Sequence, residues 1–117
     1  MSFSVESSEE GPAKVLTVTG EVEFSVITGF TTALTDAAGA TDGALVIDLS
    51  NVRYIDSSGL GAIIRTQKLM IERDRYLGIV APSGLVRRVF EISGLLTVLN
   101  IHPDLDSALA AASKFSP

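Results

Sequence analysis

The run Ala44-Leu45-Val46-Ile47-Asp48-Leu49 is apolar at every position but one, a pattern that a strand with one solvated face does not show. A continuous apolar run belongs to a strand covered on both faces, as in a sheet sandwiched between helices. This strand is therefore expected at the centre of an α/β domain, and the rest of the chain has to supply its neighbours and the covering helices.

The flanking segments read as those parts. Phe3 to Glu6 is predicted as a short strand, joined through the acidic turn Ser7-Ser8-Glu9-Glu10-Gly11 to a second strand over Lys14 to Thr19, which makes a hairpin. Gly20-Glu21-Val22-Glu23 is read as the break after it. Ile27, Phe30, Leu34 and Ala38 then recur at helical spacing, predicting a helix from about Ser25 to Ala38 with Ser25 as a candidate cap. After the central strand and a short loop, Leu60, Ile63, Ile64, Met70 and Ile71 form the expected inner stripe of a second helix, with Arg65, Lys68, Glu72 and Arg73 off it and Ser58 as its natural N-cap. Tyr76 to Ala81 is the next strand. Val86, Val89 and Phe90 then mark one face of a short helix that Ser83 is placed to cap. Thr97 to Ile101 is the last strand, and Leu105, Ala108, Leu109 and Ala112 line a final helix opened by Pro103 or Asp104. The order is β-β-α-β-α-β-α-β-α in a single domain over 1–117, a mixed sheet that is parallel except for its N-terminal hairpin.

Composition narrows the function classes. The net charge is −5 and the longest basic run is Arg87-Arg88, so the basic surface that neutralises a nucleic-acid backbone is missing and no nucleic acid is expected as a partner. No apolar stretch approaches the roughly 20 residues that span a bilayer, so no membrane partner is expected and a cytoplasmic location is. The chain contains no cysteine and one histidine, His102. That leaves no cluster with metal-ligand spacing, and Glu21 with Glu23 reads as a solvated turn rather than a cation site.

The serine pair in Ile55-Asp56-Ser57-Ser58-Gly59-Leu60-Gly61 sits at a strand-to-helix junction. The Gly-x-Ser-x-Gly of hydrolases is absent, and a neighbouring aspartate is a feeble base at neutral pH, so no enzyme is expected. Gly59-x-Gly61 lacks the Lys-Ser/Thr of a phosphate-binding loop, so the chain is expected to bind no ATP and no cofactor. A phosphoryl acceptor needs less: a reachable hydroxyl and surroundings that tolerate about two added negative charges. Ser57, expected to precede the cap, meets that need if the helix amides and dipole offset the charge. From local chemistry alone, ordinary capping and a phosphorylation switch both remain open.

Three blocks in order bear on that choice: Gly20-Glu21-Val22-Glu23, Ile55 to Gly61, and Val86-Arg87-Arg88-Val89-Phe90-Glu91-Ile92-Ser93-Gly94-Leu95. Together they resemble the bacterial anti-sigma factor antagonists of the STAS (sulfate transporter and anti-sigma factor antagonist) domain family, over essentially the whole chain. The resemblance implies partner switching. The first serine after the aspartate, here Ser57, is phosphorylated by an anti-sigma factor that is itself an ATP-using serine kinase. The unmodified form binds that kinase and frees the sigma factor, and a serine phosphatase restores it. It also implies an interface around Glu21, Glu23, Phe24, Asp56, Ser58, Gly59 and Leu60, with Leu60 equally suited to the core and Val89 read as packing. Where the family commonly has aspartate this chain has Glu23, and Phe24 replaces a polar residue. A monomer or weak homodimer is expected.

Two rivals use the same fold class. A STAS scaffold or sensor subunit of another complex has no need to retain Ser57 in this setting. A receiver domain, with Asp48 as acceptor, needs a lysine after the last strand, and 97–103 contain none.

Overall fold

A computed structural model describes residues 3–82 and 84–115. The strands are β1 (Ser4–Glu10), β2 (Ala13–Val22), β3 (Ala44–Ile55), β4 (Leu77–Val80) and β5 (Asn100–His102), and the helices are α1 (Ile27–Ala40), α2 (Ser57–Glu72), α3 (Leu85–Ile92) and α4 (Leu105–Phe115). Short 3-10 turns at Phe24–Val26 and Leu95–Thr97 precede α1 and β5. The sheet runs β1-β2-β3-β4-β5, with only the β1–β2 pair antiparallel. The predicted order and the central place of β3 hold.

Right-handed crossovers between strands laid down in one direction put every intervening helix on the same face. Accordingly Phe30 and Leu34 of α1, Ile63 and Met70 of α2, and Val86 and Phe90 of α3 share one core with Leu16, Leu45, Ile47 and Ile79. Helix α4, which follows the last strand, turns back over the opposite face and packs Ala108 and Ala112 on Ala13, Val15, Ala44, Val46 and Val80. The strand residues alternate between these two cores, which is why the central run is apolar throughout.

Several boundaries depart from the sequence reading. β1 extends to Glu10 because its polar residues face solvent at a sheet edge while its backbone pairs with β2 down to Glu10↔Ala13. The 20–23 segment is not a break: β2 runs to Val22, and Gly20, at φ +100°, sits where the β2–β3 register shifts. A glycine there admits a bulge that lets pairing resume at Glu21↔Tyr54 and run on to Val22↔Ile55. β3 likewise continues past Leu49 through the segment read as a loop. Asp48 Oδ1 accepts from Ser50 N at 2.9 Å and Ser50 Oγ at 2.6 Å, bracing the irregular stretch. Asp48, the acceptor a receiver domain would need, is thereby committed to its own strand.

Helix starts also shift. α1 begins after a 3-10 turn with Val26 at its N-cap, and Ser25 caps nothing: its hydroxyl donates to Glu23 Oε1 at 3.1 Å. α3 has Gly84 at its N-cap, at φ +82° and without a side-chain cap; the expected cap, Ser83, lies outside the described residues. In place of a strand from Thr97, the chain makes its second 3-10 turn, and β5 is confined to Asn100–His102. The inner face of α2 is rotated from the predicted stripe. Gly59, Ala62, Ile63, Thr66, Gln67 and Met70 are buried, whereas Ile64 is half-buried and Ile71 is 60% exposed. Thr66 and Gln67 can lie inside because Thr66 Oγ1 donates to Ala62 O at 2.9 Å and Gln67 Nε2 to Val98 O at 3.3 Å. Among the described residues, no helix is long and apolar enough to cross a membrane.

Candidate functional site

The long β3 carries its last residues to a point where three elements meet: the end of β2, the turn before α1 and the start of α2. Asp56 stands at that point. Its backbone N–H donates to Val22 O at 3.0 Å, and its own carbonyl accepts from Leu60 N at 3.1 Å, so the main chain passes directly from sheet to helix. The N-cap of α2 is Asp56, not Ser58. Oδ1 accepts from Ser58 N at 3.0 Å and Gly59 N at 3.2 Å, two of the donors that a helix start leaves unpaired. Aspartate caps as well as serine does, and an extended residue at a strand end already has the backbone a cap requires. Asp56 has φ −102° and ψ −176°. That combination was the available signal for the cap.

The displaced serines take other roles. Ser58 Oγ donates to Asp56 Oδ1 at 2.5 Å. This bond, joined by those from the Gly59, Phe24 and Ser58 amides and opposed by burial, holds the Asp56 carboxyl below its ordinary pKa. Ser57 occupies the first turn of α2 and is exposed. Because Asp56 already engages the Ser58 and Gly59 amides, those two donors are not free to offset a phosphate on Ser57, contrary to the expectation from the helix start alone.

The second carboxylate oxygen reaches out of the helix. Asp56 Oδ2 accepts from Phe24 N at 3.0 Å, across 32 positions of sequence. No sequence pattern marks this contact, since it exists only once β2 and β3 are paired to their ends. It brings the turn after β2 beside the serines, with Phe24 76% exposed, Glu21 exposed and Glu23 half-buried. Arg53 Nη2 lies 3.5 Å from Glu21 Oε2, a solvent-facing pair. Among the described residues there is no group of three or more side chains suited to hold a metal ion.

Gly59 and Leu60 sit behind this surface. Gly59 is buried, and a Cβ there would lie 2.8 Å from both Ile55 Cγ1 and Val22 Cγ1. Glycine is thus what allows α2 to seat against the two strand ends. Leu60 is half-buried and packs against the larger core, as does Val89. His102 is two strands away on β5, where Tyr76 Oη lies 2.7 Å from its Nε2. Desolvation lowers the His102 pKa, partly countered by Asp104, and raises that of Tyr76.

Residues 4–108 match the STAS domain. This chain belongs to the STAS domain family. As a STAS domain it is 28% identical over 102 residues to the anti-sigma-B factor antagonist of Staphylococcus aureus (strain NCTC 8325 / PS 47), an alignment covering 87% of this chain and 94% of that protein. The crystal structure of an anti-sigma factor antagonist from Mycobacterium paratuberculosis superposes with a TM-score of 0.90 at 28% identity, covering 96% of this STAS domain and 95% of that chain. The Bacillus cell fate determinant SpoIIAA in its phosphorylated form shares the fold, with a TM-score of 0.67, 20% identity, and coverage of 94% and 98%.

Proposed function

We propose that this STAS domain is an anti-sigma factor antagonist that works by partner switching, with Ser57 as the residue that is switched. In the unmodified form it binds an anti-sigma factor with serine kinase activity, and the sigma factor is released. The kinase brings the ATP; this chain holds no cofactor of its own. Phosphorylation of Ser57 ends binding, and a serine phosphatase restores it. The observation that carries the reading is an exposed Ser57 in the first turn of α2, next to the Asp56 whose Oδ2 holds the exposed Phe24 turn. The antagonist names of the relatives supply the partner class.

The electrostatics favour such a switch. A phosphate adds roughly 1.5 to 2 negative charges. It would stand beside the ionised Asp56, whose bonds to Ser58 N and Gly59 N occupy two of the donors at the helix start. Closing an interface over that dianion adds desolvation cost and like-charge repulsion, and the fold need not change.

Incubation with a cognate anti-sigma kinase, ATP and magnesium should add one phosphate, located on Ser57 by intact-mass and fragment-ion spectra. Modification that persists undiminished in Ser57→Ala would remove the assignment. Ser57→Asp should weaken partner binding in titration calorimetry, and unchanged affinity would argue against phosphate as the off-switch.

A further inference from the structure

The Asp56 carboxylate accepts four hydrogen bonds, from Ser58 N, Ser58 Oγ and Gly59 N on Oδ1 and from Phe24 N on Oδ2, as many as its lone pairs offer. A group so occupied is poorly suited to meet a partner directly. The turn it holds starts two residues after Val22, whose carbonyl accepts from Asp56 N at 3.0 Å, and Oδ2 carries the tie on to Phe24. Phe24 is 76% exposed, and the 3-10 turn it opens has no side-chain cap. Local bonds within the turn, Val26 N to Glu23 O at 2.9 Å and Ser25 Oγ to Glu23 Oε1 at 3.1 Å, shape it without tying it to α2.

We propose that Asp56 is a positioning residue: its Oδ2 tethers the Phe24 turn to the α2 N-terminus, so that the Phe24 ring and the Ser57 hydroxyl are presented as one preformed surface. The partner then needs an apolar socket for the ring at a set distance from the place that receives Ser57. Holding an exposed turn in its bound geometry removes an ordering cost from association. The binding part of this inference rests on the function proposed above; the tether itself does not.

Asp56→Asn separates the two tasks of the carboxylate. An amide oxygen in the place of Oδ1 still accepts from Ser58 and Gly59, and asparagine is among the best N-caps. An amide nitrogen in the place of Oδ2 meets the Phe24 N–H donor to donor. Hydrogen exchange followed by NMR should show the Phe24 amide exchanging about tenfold faster or more, while the Gly59 amide stays protected. Affinity for the anti-sigma kinase should fall about tenfold, the scale of one hydrogen bond to a charged group. Phe24→Ala should also weaken binding, and the double variant should be little weaker than Phe24→Ala alone, because both changes remove the same anchored ring.

A Phe24 amide as protected in Asp56→Asn as in the wild type overturns the tether. Unchanged affinity with a freed turn overturns the positioning role. Fully additive losses in the double variant overturn it too, by placing Asp56 in direct contact with the partner. Should Asp56→Asn fold poorly, Phe24→Pro cuts the same bond from the other side. Glu23 at φ −134° and ψ 174° already has the extended backbone that precedes proline. Its Asp56 carboxyl should titrate higher than in Phe24→Ala, which keeps the N–H, and equal titration in the two overturns the tether. A wild-type chain that binds no anti-sigma kinase refutes the functional reading alone, since exchange and titration still decide the tether.

Discussion

Helices α2 and α4 both follow a strand and both open on an aspartate, and the two aspartates differ in reach. Asp104 Oδ1 accepts from Ser107 N at 2.7 Å, three residues on, as Asp56 Oδ1 accepts from Gly59 N at 3.2 Å. Each carboxyl is held below its ordinary pKa by a serine of its own helix: Ser58 Oγ foremost for Asp56, the Ser107 backbone and then side chain for Asp104. Of the two, Asp56 alone also accepts a hydrogen bond from another element, through Phe24 N, while Asp104 feels only the charge of His102 on β5. The capping device is the same, and what makes one junction a candidate site is the neighbour brought within range of its second oxygen.

The sharpest way to break the comparison lies at the third residue after each cap. Gly59 has no room for a Cβ, whereas the corresponding Ser107 of α4 carries one. Gly59→Ala should destabilise by about 1–3 kcal/mol in urea unfolding, as overpacking against β-branched side chains does. Ser107→Ala should change stability by less. If Gly59→Ala were neutral, the close seating of α2 on Val22 and Ile55 would be wrong.

Next in size is the loss of each cap. Asp56→Ala should cost about 1–2 kcal/mol, toward the upper end for a cap because it strands the Phe24 donor as well. Asp104→Ala should cost less, since its carboxylate serves one helix in solvent. Thermal melts of the two variants compare them directly, and equal losses would mean that the Phe24 bond contributes nothing to stability.

The smallest effect is in the pH dependence. Both carboxyls have folded pKa values lowered from the unfolded one, so each contributes stability that is complete above about pH 4 and is lost as pH falls through the lowered folded value. The destabilisation by Asp56→Ala should therefore be full at neutral pH and shrink toward acid. A deficit that stays constant down to about pH 2 would show that the ionised form is not what the structure stabilises.

Helix α4 also shows how far patterning can be read. Ala108 and Ala112 fall on its inner face as the spacing predicts, and they pack close to the sheet. In α2 the same method placed Ile63 and Met70 correctly but gave Ile71 to the core when it is 60% exposed, and left Thr66 and Gln67 out of it. Periodicity locates an apolar stripe but cannot weigh a glycine that permits close approach, or buried polar residues whose partners lie on other elements. Gly59, with no room for a Cβ, and Gln67, bonded to Val98 O, are the two such residues in α2.

By itself the sequence determined the α/β class, the element order, the central strand and the junction that carries Ser57, because all of these follow from local periodicity and from turn and cap chemistry. That Asp56 rather than Ser58 caps α2 was also locally legible, since its bonds reach only two and three residues on. The tertiary structure decided that β2 and β3 continue through their irregular stretches to Val22 and Ile55, and that Phe24 is tied beside Ser57. Those outcomes depend on pairing between residues some thirty positions apart, with Asp56 meeting Phe24 at a separation of 32. A hydrogen bond of that kind has no local signature: its donor and acceptor are ordinary groups until the sheet aligns them.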